Sequence, residues 1–158
     1  MSTKLTFEDF LESTSQELKA TASKIHESIT VGGYKFAVEK KKQGMFISYK
    51  HSKTKHATFN LMSNGLDLQV KVYAENHKVY ADFIDKLPKA MEEQVATATQ
   101  CGRFASPPKC SPNCMGYDVL INGNPYQKCR YSCFLLKADE DSLPTIIEFI
   151  EKEKAARG

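Results

Sequence analysis

Apolar residues in this chain first recur at helical spacing, then alternate, then return to helical spacing, and that order predicts its layout. Phe7, Phe10 and Leu11 begin an apolar side, and Leu18, Ala22, Ile25 and Ile29 follow at intervals of four, three and four, the separation of residues on one helix face. Thr6 with Asp9 three positions on reads as an N-cap and a carboxylate variant of the capping box, and Glu8 suits the positive end of the helix. Ser13-Thr14-Ser15 marks a break into two helices, and Gly32-Gly33 a stop. From Tyr34 the period falls to two: Tyr34, Phe36 and Val38; Met45, Ile47 and Tyr49; Ala57, Phe59 and Leu61; Leu66, Leu68, Val70 and Val72. Each run reads as a strand with one buried face. Gln43-Gly44, His51 to Lys55 and Asn64-Gly65 punctuate them, so the four strands should form an antiparallel meander.

From His77 the helical period returns. Val79, Tyr80, Phe83, Ile84 and Leu87 form one stripe, Pro88 stands near a new helix start, and Met91, Val95 and Ala98 continue it to Cys101-Gly102. After the irregular Ser106 to Pro112 loop, Tyr117, Val119 and Ile121 alternate, Asn122-Gly123-Asn124 turns, and Tyr126 to Leu136 runs back as a smaller hairpin. Ser142 is a good N-cap for a last helix, with Pro144 just inside it and Ile146, Ile147, Phe149 and Ile150 on its buried side. The expected fold is α+β: an antiparallel sheet, made of a four-strand meander plus a C-terminal hairpin, with helices packed mainly on one face. A chain of 158 residues is expected to be one domain, 1–158, with a cysteine-rich loop and hairpin at 101–133 inside it.

Composition narrows the class without naming a function. Hydrophobic residues make up 41% and charged residues 26%, the balance of a globular protein. A formal charge of +3 is too small to imply nucleic acid by itself. No apolar run approaches the roughly 18 residues of a membrane span, and Met1-Ser2-Thr3-Lys4-Leu5 lacks the apolar region of a signal peptide. The expectation is a cytoplasmic protein with no membrane partner.

The candidate chemistry lies in one window. All five cysteines, Cys101, Cys110, Cys114, Cys129 and Cys133, fall there in the pattern C-x8-C-x3-C-x14-C-x3-C. In a reducing compartment such a cluster reads as metal ligands or thiols rather than a disulfide framework, and four thiolates would hold one tetrahedral zinc ion. On one continuous strand Cys129 and Cys133 would have Cα atoms roughly 13 Å apart, too far for a single ion. Cys133 opens the apolar run Cys133-Phe134-Leu135-Leu136 and is the preferred bystander. Cys101, Cys110, Cys114 and Cys129 are then the ligands. The competing set replaces Cys101 by Cys133 and needs a bend at Arg130-Tyr131-Ser132.

The runs Cys110-Ser111-Pro112-Asn113-Cys114-Met115-Gly116-Tyr117 and Tyr126-Gln127-Lys128-Cys129-Arg130-Tyr131 resemble those of small bacterial proteins of unknown function, common in clostridia and their relatives. The likeness extends over most of the chain, including Phe83 to Leu87 and the closing helix, and the cysteine block is its specific part. It implies that the position of Cys133 can hold another small residue, which leaves Cys101, Cys110, Cys114 and Cys129 as the metal set. It implies no activity.

Other readings compete. Lys109, Lys128 and Arg130 adjoin cysteines and would favour thiolates, as a thiol-redox protein needs, yet the same charges would offset a tetrathiolate zinc site. Three cysteines with an exchangeable ligand would make a zinc-dependent enzyme, whereas four close the ion to water. Lys40, Lys41, Lys42, Lys50, Lys53 and Lys55 lie near strand ends, where a hairpin would gather them into a basic patch for nucleic acid, or simply into a solvated edge. His26, His51, His56 and His77 are scattered, with His51 and His56 flanking a loop. No nucleophile motif, phosphate-cradling glycine loop or paired-carboxylate spacing occurs. The sequence therefore favours a binding or interaction module with a structural zinc site over an enzyme.

Overall fold

A capping box starts the first helix: Thr6 Oγ1 accepts from the Asp9 amide at 3.3 Å, and the Asp9 carboxylate accepts from the Thr6 amide at 2.7 Å. The computed structural model describes residues 4–31, 33–42, 44–51, 57–98, 117–128 and 133–157. Helix α1 (Phe7–Glu12) stops at the expected Ser13-Thr14-Ser15 break, where Thr14 Oγ1 donates to the Phe10 carbonyl at 2.9 Å and satisfies a helix-end acceptor. Helix α2 (Gln16–Thr30) follows and buries Thr21, Ala22, Ile25 and Ile29.

Strands β1 (Tyr34–Lys41), β2 (Gly44–His51), β3 (Phe59–Ser63) and β4 (Leu68–Val72) pair in sequence order, each antiparallel to the next, as the alternation predicts. Their register lines apolar residues into rows across the sheet. Val38, Ile47, Leu61 and Val70 form one row; Phe36, Tyr49, Phe59 and Val72 form the next. Such directly opposed side chains are the unit of sheet stabilisation. All but Phe36, which is 39% exposed on the edge strand, are buried. Strand β3 departs from single-faced burial, because Asn60 and the preceding Thr58 are buried as well as Phe59 and Leu61.

Two expectations are corrected here. Leu66 is 82% exposed and belongs to a loop, not to β4. The loop is shaped by Asn64, whose Oδ1 accepts from the amides of Leu66 at 2.9 Å and Asp67 at 2.7 Å, with Gly65 at φ +97. The second correction concerns the run from Tyr126 to Leu136, which is not one returning strand. Strand β6 (Asn124–Lys128) pairs only with β5 (Tyr117–Ile121), while β7 (Leu135–Ala138) is the fifth strand of the main sheet, ordered β1-β2-β3-β4-β7. Burial explains the division: β6 buries none of its residues, whereas Leu136 and Ala138 of β7 are buried. The α+β class with an antiparallel sheet stands as expected.

The chain divides into two compact units, Met1–Val72 with Lys137–Glu151, and Tyr73–Leu136 with Lys152–Gly158. In the second, a 3-10 turn (His77–Tyr80) leads into α3 (Ala81–Asp85), and Pro88 caps α4 (Lys89–Ala96). Tyr80, Ile84, Leu87, Met91 and Val95 are buried, but Val79 is 73% exposed. A stripe read at 3.6 residues per turn fails there because the 3-10 turn has three. The hairpin of β5 and β6 closes through Asn122 at φ +50 and Gly123 at φ +81, the double left-handed turn that matches strand twist.

Helix α5 (Leu143–Arg157) begins after Ser142, as expected, where Asp139 Oδ1 accepts from the Ser142 amide at 2.8 Å and Ser142 Oγ accepts from the Asp139 amide at 3.0 Å. Its Ile146, Phe149 and Ile150 are buried in the first unit. Its Glu153, fully buried in the second, accepts from Asn76 Nδ2 at 2.9 Å, the Asn76 amide at 3.3 Å and the Tyr80 hydroxyl.

One glycine between β1 and β3 is sterically required. Gly44 sits at φ +138, and a Cβ there would lie 2.1 Å from the Ser63 carbonyl oxygen. Gly33, at φ +95, has open space around it. Gly44→Ala is therefore expected to lose about 2 kcal/mol or more, against about 1 kcal/mol for Gly33→Ala, in urea unfolding. Equal losses would show that the approach to Ser63 carries no stability.

Candidate functional site

Of the five cysteines only Cys133 lies among the described residues. It is 1% exposed, in the turn before β7 and next to the fully buried Phe134, as expected of a core thiol. Cys101, Cys110, Cys114 and Cys129 lie outside the described residues. Among the described residues no group of three or more His, Cys, Asp or Glu side chains is placed to hold a metal ion.

The segments bordering that window come together in the second unit. Lys128, the last residue of β6, donates from Nζ to the carbonyls of Ala96, the last residue of α4, at 3.0 Å and of Ala98 just beyond it at 3.1 Å. A cation there satisfies orphan carbonyls and suits the negative end of the helix. Tyr117, the first residue of β5, is the cross-strand partner of Lys128, and its ring lies 5.7 Å from that of Phe134. Ala98, Tyr117 and Lys128 are thus gathered at the open end of the hairpin.

The turn end is held by carboxylates. Asp85 accepts from the Asn122 amide through its carbonyl at 2.6 Å and from the Gly123 amide through Oδ1 at 2.9 Å. Glu92 of α4 accepts from Asn122 Nδ2 at 2.9 Å, Asn124 Nδ2 at 2.9 Å and the Tyr126 hydroxyl at 2.7 Å. The hydrogen bond from Asn122, then those from Tyr126 and Asn124, with the charge of Lys89, hold Glu92 below the usual carboxylate range. Its bond to Glu92 raises Tyr126. Sequence reasoning missed this cluster. Glu92 looks like any solvated helix residue, and only the Asn122-Gly123-Asn124 turn signalled that polar side chains would converge there.

Among the described residues the lysines of the basic hairpin do not gather into one patch. Lys40 to Lys42 sit at the turn between β1 and β2, whereas Lys50 is paired with Lys35 at the far end of the same two strands. Five residues of strand separate Met45, the partner of Lys40, from Lys50, roughly 17 Å of backbone. Lys41 is engaged locally, its Nζ 4.1 Å from the centre of the Phe46 ring and 3.9 Å from Glu39. Lys53 and Lys55 lie outside the described residues.

The described histidines hold structural positions. His26 Nδ1 and the Tyr49 hydroxyl share a hydrogen bond of 2.8 Å, Phe7 stacks on His26 at 3.8 Å, and Phe36 meets it edge-on at 4.6 Å. Burial lowers His26 to about 4 and pushes Tyr49 far above its usual value. His51, half-buried at the end of β2, packs edge-on against Tyr34 at 5.0 Å. His77 is buried with Nδ1 donating to the Ala74 carbonyl at 2.9 Å, beside a cavity of about 270 Å³ that Asp82, Asp85 and Asp118 also line. His56 lies outside the described residues. Comparison with known proteins finds no matching family model, curated relative or solved structure.

Acid should weaken the fold in two windows. A His26 held at about 4 against an ordinary 6.5 stays neutral in the fold, so its contribution is complete above pH 6.5 and is lost as pH falls towards 4. At this half-exposed position the loss is on the order of 1 kcal/mol. Glu92 acts lower, because its lowered value makes its contribution complete above the ordinary 4.5 and lost as pH falls through the folded-state value. Urea midpoints measured from pH 7 to 3 should show His26→Gln flattening the upper window and Glu92→Gln the lower. A parent and variant that fall in parallel would refute the assignment of that window.

Proposed function

We propose that this protein is a binding or interaction module whose second unit is closed by a structural zinc ion held by Cys101, Cys110, Cys114 and Cys129. The observation that carries the reading is the junction at Lys128. Cys129 is the next residue, Cys101 is three residues beyond Ala98, and Cys114 is three residues before Tyr117. Three residues span at most about 10 Å, so ligands from three separate stretches are within reach of one point. The burial of Cys133 agrees with leaving it outside the set.

Four thiolates close the ion to water, so the proposed role is to stiffen a surface rather than to hydrolyse a substrate. The likeness to the small clostridial-type proteins belongs to the same proposal, as does a cytoplasmic, reducing location that keeps the thiols available for metal. Among the described residues no helix is long and apolar enough to cross a membrane.

Elemental analysis of the purified protein, with thiol titration before and after chelation, tests the reading. One zinc per chain is expected, with four thiols becoming reactive on chelation and Cys133 reacting only after unfolding. Absence of zinc together with five reactive thiols would reject it.

A further inference from the structure

We propose that β1 is a self-association edge, on which a second copy of this chain adds its own β1, antiparallel about Ala37. None of the residues involved belongs to the cysteine window.

Strand β1 ends the main sheet, ordered β1-β2-β3-β4-β7. One side of it is paired with β2 along all eight residues. On the other side every second residue turns its N–H and C=O outward, and among the described residues no strand takes them. Lys35, Phe36, Ala37 and Glu39 are all exposed. Phe36, at 39%, is the one member of its row left open, since Tyr49, Phe59 and Val72 beyond it are buried. An edge of that length with an open aromatic suits another strand, and the charges along it select which.

Two identical strands pairing antiparallel are related by a two-fold axis, and the residue on that axis fixes every pair. With Ala37 on the axis, Lys35 of each copy faces Glu39 of the other, Phe36 faces Val38, and Tyr34 faces Lys40. Opposed side chains share a face of the sheet, so two ion pairs form on one face. On the other face the row ending at Phe36 continues into the row that begins at Val38 of the second copy. Neighbouring registers lack this match. With Phe36 on the axis, Lys35 faces Ala37 and Glu39 faces Gly33; with Val38 there, Lys35 faces Lys41 and Phe36 faces Lys40. Placing the axis between two residues pairs odd with even positions and sets the apolar face of one copy beside the polar face of the other. Lysines that ordinarily protect an edge thus exclude the wrong registers, while Lys35 favours one. Glu39 is available for it, because its contact with Lys41 is loose, at 3.9 Å with both side chains about half exposed. A pairing of two short strands falls below the standard interface of roughly 1,600 Å², so the dimer is expected to be weak.

The test uses the full chain and measures its mass by sedimentation equilibrium up to millimolar concentration, with urea midpoints to confirm that each variant is folded. The parent is expected to form a dimer that dissociates in the micromolar range and weakens with salt. Lys35→Glu sets Glu against Glu and Glu39→Lys sets Lys against Lys, so each should dissociate about tenfold more readily or worse. Mixed together, the two variants should associate at parental strength, because each offers the charges that the other lacks. Lys86→Glu, in the second unit, should match the parent. Should either charge variant not fold, Lys35→Asp and Glu39→Arg take their place in the same mixing experiment. A parent that stays monomeric throughout would overturn the inference and leave the edge to some other strand or to solvent. A dimer indifferent to both variants, or variants that do not recover on mixing, would put the contact elsewhere and overturn it as well.

Discussion

A carboxylate taken out of bulk water must be surrounded by donors, and the second unit is arranged around that demand on Glu92. Asn122, Asn124 and Tyr126 all lie on the hairpin, and all three point their donors at one side chain of α4. This requirement reaches back into the backbone. Asn122 adopts a left-handed conformation that few residue types accept readily, and the turn it makes with Gly123 brings Asn124 onto the same carboxylate. The hairpin buries Tyr117, Val119 and Ile121 on β5 but no residue on β6, so polar contacts with the helices hold the β6 side. Lys128 completes the arrangement from the other end, and the two attachments together set where β5 and β6 run relative to α4.

The first unit relies on a different constraint. Its strands carry apolar rows that only one register keeps on a common face, since a slip of one residue would move each row to the opposite side. Gly44 enforces that register sterically, because the strand approaches Ser63 too closely for any side chain. Over the row that contains Tyr49, His26 and Phe7 fasten both α1 and α2 to the sheet through a hydrogen bond and a stacked pair. A neutral histidine suits this place, since an imidazolium would lose solvation there without gaining an anion.

Local signals in the sequence were accurate where local chemistry decides. The Thr6 and Asp9 box, the break at Ser13 to Ser15, the meander, and the turn at Asn122-Gly123 all rest on residues close in sequence, and each appears in the structure. Misreadings occurred where the decision is made at a distance. Leu135 to Ala138 join the main sheet because a partner strand is available there, a fact absent from the alternation itself. The lysines of the first hairpin were expected to gather, but antiparallel pairing sends the turn residues and Lys50 to opposite ends. Glu92, Asn122, Asn124 and Tyr126 were illegible as a group because four ordinary polar residues acquire meaning only when tertiary packing aims them together. Four of the five cysteines lie outside the described residues, so for them the reading still stands on spacing.

The structure does bear on how the competing chemistries could use this window. A redox role needs a thiol that an oxidant can reach and a neighbouring charge that favours the thiolate. Cys133 is too buried to meet the first condition in the folded protein. Lys128 and Arg130 both adjoin Cys129 in sequence, and the Lys128 ammonium is already directed at two helix carbonyls. An ammonium committed to carbonyls still contributes its field but cannot turn to donate to a thiolate without releasing α4.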